Sequence, residues 1–119
     1  MTLVEGDAVS GTDLQINAEP FRDRTRVERS SVEDFLARRR SANAETVIVD
    51  PPRTGLSRDA VAGILALKPA RLIYVSCDVA TLARDTRTLL DRGYSLGPLT
   101  ALDLFPNTAH VETVTVLTR

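Results

Sequence analysis

The sequence predicts an α/β protein: strands alternate with helices along an open, mostly parallel sheet, and the last strand runs the other way. Three observations carry this. The β-branched apolar runs Thr46–Val49 and Arg71–Ser76 are each followed by a segment with an apolar stripe at helical spacing. Helix caps and stops fall at the junctions, at Ser31, Ser57 and Gly93. The final strand-like segments, 94–102 and 111–117, follow one another with no helix between them, which makes them an antiparallel pair. Alternating βα units that end in a hairpin give a doubly wound sheet with one reversed strand.

Taken in order, Thr2, Leu3 and Val4 read as the end of a strand. Residues 7–18 form a weakly amphipathic helix carrying Val9, Leu14 and Ile16. Residues 24–28 alternate enough for an edge strand, with Val27 the strong apolar residue. Ser31 caps the next helix, with Asp34 three residues on as in a capping box. That helix holds Val32, Phe35 and Leu36 and ends in Arg38, Arg39 and Arg40, cations that suit a helix C-terminus. Thr46–Val49 reads as a buried parallel strand. Ser57 caps a helix with Val61, Ile64 and Leu65 on one face, and Lys68 and Pro69 end it. Arg71–Ser76 is the next strand, and residues 78–92 the next helix, striped by Val79, Leu82, Thr86, Leu89 and Leu90 and stopped by Gly93.

The chain has 119 residues, enough for one domain with a modest core. Its formal net charge of -1 argues against the chain as a whole binding nucleic acid by electrostatics alone. Lys68 is the only lysine, so positive charge is otherwise arginine, which suits phosphate contact. Arg22, Arg24, Arg26 and Arg29 make either a basic edge or, more simply, a solvated face. No apolar run reaches membrane-spanning length and no signal-peptide pattern opens the chain, so the expectation is a cytoplasmic protein with no membrane partner. A single cysteine excludes an internal disulfide, and no Cys/His spacing suggests a metal.

That cysteine, Cys77, is the most informative residue. It directly follows a strand and precedes a helix, in the turn where open α/β sheets place ligand and catalytic groups. Asp50-Pro51-Pro52-Arg53 also follows a parallel strand, so Asp50 and Cys77 share the carboxyl edge of the sheet. A reversed last strand starts at that same edge, which brings His110-Val111-Glu112 there from far away in sequence. Each piece also has a plainer reading. A lone cysteine is more often a small buried hydrophobe than a nucleophile. Asp-Pro-Pro is a turn that stops a strand. Glu112 alone is a solvated strand-end charge, and His110 is more readily structural than catalytic.

Five stretches occur in order: Asp50-Pro51-Pro52-Arg53-Thr54-Gly55, Tyr74-Val75-Ser76-Cys77-Asp78, Ala80-Thr81-Leu82-Ala83-Arg84-Asp85, Asp103-Leu104-Phe105-Pro106 and His110-Val111-Glu112. Singly they are weak signals. As an ordered set, over nearly the whole chain, they closely resemble the C-terminal catalytic half of S-adenosylmethionine-dependent RNA 5-methyluridine methyltransferases, which act on tRNA or ribosomal RNA. The resemblance implies a Rossmann-like class I methyltransferase sheet, S-adenosylmethionine as cofactor and RNA as partner. It implies that Cys77 is the nucleophile and Glu112 the base that removes the uracil carbon-5 proton. Asp50 would line the cofactor and target-base pocket, and Glu5 would hydrogen-bond the cofactor ribose. Arg53 stands where amine-directed methyltransferases carry an aromatic, and could meet RNA phosphate. Ser31 replaces an Asn or Asp that relatives place near the adenine.

The chemistry accounts for these residue types. Carbon-5 of uracil is a poor nucleophile until a thiolate adds at carbon-6, and a base must then remove the carbon-5 proton. A helix N-terminus, such as the one following Cys77, favours a nearby anion. The target base must also leave its stack, at a cost of a few kcal/mol.

The family's glycine-rich loop and the strand feeding it do not occur in these residues, nor do its upstream RNA-binding domains. The expectation is therefore a partial sheet lacking its first, central strand, with residues 1–119 as the C-terminal part of a methyltransferase catalytic domain and no second domain. The alternative is a non-catalytic α/β module that self-associates through an open sheet edge.

Overall fold

The computed structural model describes residues 1–39, 46–108 and 110–119. The chain divides into two compact units, Met1–Arg40 and Ser41–Arg119. In the first, β1 (Thr2–Glu5) pairs in parallel with β2 (Arg26–Arg29), in a register that sets Glu5 beside Arg29. Between them run α1 (Ala8–Ala18) and a short 3-10 turn, Glu19–Phe21. Asp7 caps α1, its carboxylate accepting from the backbone N–H of Val9 and Ser10. The apolar face expected on this helix is corrected. Val9 and Ile16 are exposed, and the helix instead buries the small residues Gly11 and Ala18. These stand seven positions apart, two turns along one face. α2 (Val32–Arg38) is capped by Ser31, which accepts from the Asp34 N–H, and buries Leu36. Arg40, the last of the expected C-terminal cations, lies outside the described residues.

In the second unit β3 (Thr46–Val49), β4 (Arg71–Ser76), β6 (Glu112–Thr118) and β5 (Ser95–Leu102) make a four-stranded sheet in the order β3-β4-β6-β5. β3 and β4 are parallel, and β6 is antiparallel to both of its neighbours, as expected for the reversed strand. The helices α3 (Arg58–Leu67) and α4 (Val79–Leu90) follow β3 and β4. Register places Leu72 beside Leu117, Tyr74 beside Thr115 and Ser76 beside Thr113, and all six are buried. Alternation puts them on one face. That face forms the core with Ile64 of α3 and Leu82 and Leu89 of α4. Burying a side chain such as Leu72 contributes roughly 2–3 kcal/mol.

Helix boundaries follow local chemistry. Ser57 accepts from the Ala60 N–H to start α3, and Lys68, in the left-handed region with φ 52°, ends it. Asp78 is the cap of α4 rather than its first residue, and Gly93, at φ +93°, is the expected stop. The expectation of a buried β3 does not hold. Its residues are half-buried or exposed and Ile48 is 64% exposed, because β3 is a terminal strand among the described residues and one of its faces is uncovered. β1 likewise has one partner only among them. No helix among the described residues is long and apolar enough to cross a membrane.

Candidate active site

Three turns of the second unit converge at the carboxyl edge of β3 and β4. The first follows β3 and carries Asp50 and Arg53, both exposed. The second carries Cys77, which is half-buried between β4 and α4. Its shape is set by Ser76, whose buried hydroxyl accepts from the Asp78 N–H at 3.1 Å and donates to the Asp78 carbonyl at 2.9 Å. Asp78 in turn accepts from the Thr81 N–H at 2.8 Å, so Cys77 sits immediately before the first turn of α4. The third turn leads into β6 and carries His110 and half-buried Glu112.

Register gives the relation between these groups. Ser76 pairs with Thr113 at the end of the antiparallel ladder, so Cys77 and Glu112 each directly adjoin that last pair, at the same edge of the sheet. Val49 pairs with Tyr74, so the Asp50–Arg53 turn leaves the sheet on the other side of β4. A side-chain bond spans the edge: the Arg53 guanidinium donates to His110 Nε2 at 3.1 Å. Because arginine can only donate, the imidazole accepts there and carries its proton on Nδ1. Arg53 also acts on Asp78. The Asp78 carboxyl is held below its ordinary range, chiefly by the Thr81 backbone N–H, with the Arg53 charge acting in the same direction.

Glu5 belongs to the first unit. It ends β1, where one carboxylate oxygen accepts from the Asp7 N–H at 2.8 Å. Just past the end of β2, the buried Ser30 hydroxyl has no hydrogen-bond partner among the described residues. Ser31 is occupied in capping α2. An apolar hollow of about 450 Å³ in the same unit, lined by Met1, Leu3, Leu14 and Phe21 among others, contains none of the predicted site residues. The four arginines of the possible basic edge are engaged locally. Arg22 pairs with Glu19, Arg26 pairs with Glu28, Arg24 lies over the Phe21 ring and Arg29 donates to the Ala8 carbonyl. Among the described residues no cluster of His, Cys, Asp or Glu is arranged to hold a metal.

Sequence reasoning missed the group that holds the first turn in place. Asp85, 3% exposed, accepts from the Leu56 N–H at 2.7 Å, the Tyr74 hydroxyl at 2.7 Å and Arg84 Nε at 2.8 Å. Arg84 also donates to the carbonyls of Thr54 and Leu56. Burial, reinforced by the Asp85 carboxylate, pushes the Tyr74 phenol far above its ordinary range, so it stays a donor. The signal was in the sequence: Asp85 falls three residues after Leu82 and four before Leu89, on the apolar stripe of α4. A carboxylate there needs buried partners.

Comparison with known proteins gives the family. The family model for tRNA (uracil-5-)-methyltransferases matches residues 13–119. An uncharacterized RNA methyltransferase of Streptomyces coelicolor is 43% identical over 105 residues, covering 88% of this chain and 23% of its own length. One from Thermotoga maritima is 43% identical over 86 residues, covering 72% and 19%. Among solved structures, the tRNA (uracil-54, C5)-methyltransferase of Pyrococcus abyssi in complex with S-adenosyl-L-homocysteine superposes with a TM-score of 0.82 at 33% identity, over 98% of this chain and 28% of that one. The precorrin-6y C5,15-methyltransferase of Geobacter metallireducens, at 13% identity and a TM-score of 0.73, shares the fold over 99% of this chain and 67% of its own. The Rossmann-like methyltransferase sheet expected from the motifs is thus the fold observed, in partial form. The chain spans about a quarter or less of the curated relatives it matches. It belongs to the tRNA (uracil-5-)-methyltransferase family.

Proposed function

We propose that these residues are the C-terminal part of the catalytic domain of a cytoplasmic enzyme that methylates carbon-5 of a uridine in tRNA or ribosomal RNA, with S-adenosylmethionine as donor. The observation that carries this is the Ser76–Thr113 pair, which Cys77 and Glu112 each adjoin at one sheet edge, with the Asp50–Arg53 turn on the other side of the same strand. The reading includes an upstream part that completes the sheet. Its support is that β1 and β3 each have only one partner strand among the described residues.

Each unit, taken by itself, carries residues that fit the cofactor. Glu5 has a carboxylate oxygen beyond the one bonded to Asp7, and the unpartnered Ser30 hydroxyl lies at the end of the neighbouring strand. Glu5 would accept from the ribose hydroxyls, and Asp50 would face the target base and the methionine end. When bound, S-adenosylmethionine supplies an electrophilic methyl group. The remaining work falls to the chain. Cys77 as thiolate forms a bond to carbon-6 of uracil, and the electron pair of the 5,6 double bond moves to the carbonyl as an enolate. Carbon-5, now nucleophilic, takes the methyl. Glu112 then removes the carbon-5 proton, the double bond re-forms and the Cys77 sulfur leaves. Arg53 meets an RNA phosphate, for which its exposed guanidinium is suited.

The test is nucleoside analysis of RNA incubated with S-adenosylmethionine and the chain carrying its upstream part. Appearance of 5-methyluridine, lost in Cys77→Ala, supports the reading. A Cys77→Ala protein with near-normal turnover would remove it. A second reading, a non-catalytic module that self-associates through a sheet edge, draws on the exposed Ile48 of β3. It requires a concentration-dependent dimer in sedimentation and no 5-methyluridine.

A further inference from the structure

We propose that Asp85, acting with Arg84 and Tyr74, is a positioning residue for the reaction: it fixes the turn after β3 and thereby the approach of Asp50 and Arg53 to the edge that carries Cys77. This rests on the function proposed above and deepens it. Among the described residues the turn has one backbone bond of its own, from the Gly55 N–H to the Pro52 carbonyl at 2.8 Å. Three more of its backbone groups are held by side chains of α4. Arg84 Nη2 reaches the Thr54 carbonyl at 2.9 Å and the Leu56 carbonyl at 3.3 Å, and Asp85 takes the Leu56 N–H at 2.7 Å. The fit is close enough to require a glycine. Gly55 has φ +75°, and a Cβ there would stand 2.6 Å from both Arg84 Nη2 and Asp85 Oδ2.

The same carboxylate binds the hydroxyl of Tyr74, three residues before Cys77 on β4. One buried group therefore ties together the strand that delivers the thiol, the helix that follows it and the turn that carries Arg53. Arg53 in turn reaches His110, two residues before Glu112. The Arg84–Asp85 ion pair is half-exposed, the Arg84 side chain being 55% accessible, and such a pair is a weak source of stability. What this one provides is geometry, and a misplacement of about 1 Å at a reacting site costs about 100-fold in rate.

The test compares Asp85→Asn with Tyr94→Phe in the protein carrying its upstream part. Asparagine keeps the shape but replaces one acceptor oxygen with a donor, so the three donors around it can no longer all be satisfied. Tyr94→Phe removes a buried bond to the Pro69 carbonyl, before the start of β4 and so at the opposite end of the strand from Cys77. Asp85→Asn is expected to lower kcat about 100-fold. Tyr94→Phe is expected to lower the melting temperature and leave kcat unchanged. Hydrogen exchange at the Leu56 amide gives a readout independent of activity, and Asp85→Ala, which removes the acceptor altogether, should accelerate it more than about tenfold. The inference is overturned if kcat is retained, if it falls only with the folded fraction, or if the Leu56 amide stays protected. A wild-type protein that makes no 5-methyluridine would defeat the proposed function instead, and the Leu56 amide would still decide whether Asp85 holds the turn.

Discussion

Two glycines offer a matched pair of perturbations. Gly55 and Gly93 both have positive φ, +75° and +93°. Alanine at either pays the left-handed backbone penalty of about 1–2 kcal/mol. At Gly93 nothing lies within 4 Å of the added methyl, so that penalty is the whole effect. At Gly55 the methyl meets Arg84 Nη2 and Asp85 Oδ2 at 2.6 Å. Arg84 can swing aside, but Asp85 is short and buried, and it can move only by loosening its bonds to the Leu56 N–H and the Tyr74 hydroxyl. A hydrogen bond to a charged group contributes about 1.5–3 kcal/mol. Gly55→Ala should therefore destabilise by about 3–5 kcal/mol, against about 1–2 for Gly93→Ala. Urea unfolding followed by tyrosine fluorescence is the assay. The chain has no tryptophan, and both its tyrosines, Tyr74 and Tyr94, lie in the second unit, so the signal reports on that unit alone. Equal losses for the two variants would refute the steric reasoning, and with it the idea that α4 holds the turn tightly.

Three further outcomes follow from the site. Glu112→Gln should stall turnover with RNA covalently attached, seen as a shifted band under denaturing conditions; a variant that turned over and released RNA freely would remove Glu112 from the role of base. Arg53→Ala should weaken RNA binding across sequences and reduce the slope of log affinity against log salt by about 1, the signature of one lost phosphate contact; an unchanged slope would return Arg53 to its bond with His110 alone. The Asp78 carboxyl titrates below its ordinary value of 3.8 in the folded chain, so its contribution is complete above that value and disappears as pH falls through the lower folded one. Asp78→Asn should flatten the loss of second-unit stability between about pH 5 and pH 2; an unaltered acid limb would show that other groups control it.

Much of the fold was legible because its signals are local. Ser31, Ser57 and Gly93 mark helix ends through backbone chemistry that needs no tertiary context. The reversed β6 followed from two strands with no helix between them, and that reversal brings Glu112 to the sheet edge that Cys77 follows. The readings that failed depended on neighbours. β3 is composed as a buried strand, yet Ile48 is exposed because burial is set by what covers a face. In α1 the bulky residues suggested the packing face, whereas Gly11 and Ala18 are the residues buried. Asp85 showed in the sequence only as a carboxylate on the apolar stripe of α4, since its partner, the Leu56 N–H, lies 29 residues away.

The central claim is that Cys77 attacks a uridine within reach of Glu112. The most direct measurement is a denaturing gel of the chain, alone and with its upstream part, incubated with S-adenosylmethionine and RNA carrying 5-fluorouridine. Fluorine cannot leave as a proton, so a working site traps itself at the step before base-catalysed release. The account predicts a shifted band with the upstream part present, absent in Cys77→Ala and present in Glu112→Gln. No band from the wild-type protein, or a band that survives Cys77→Ala, would contradict it.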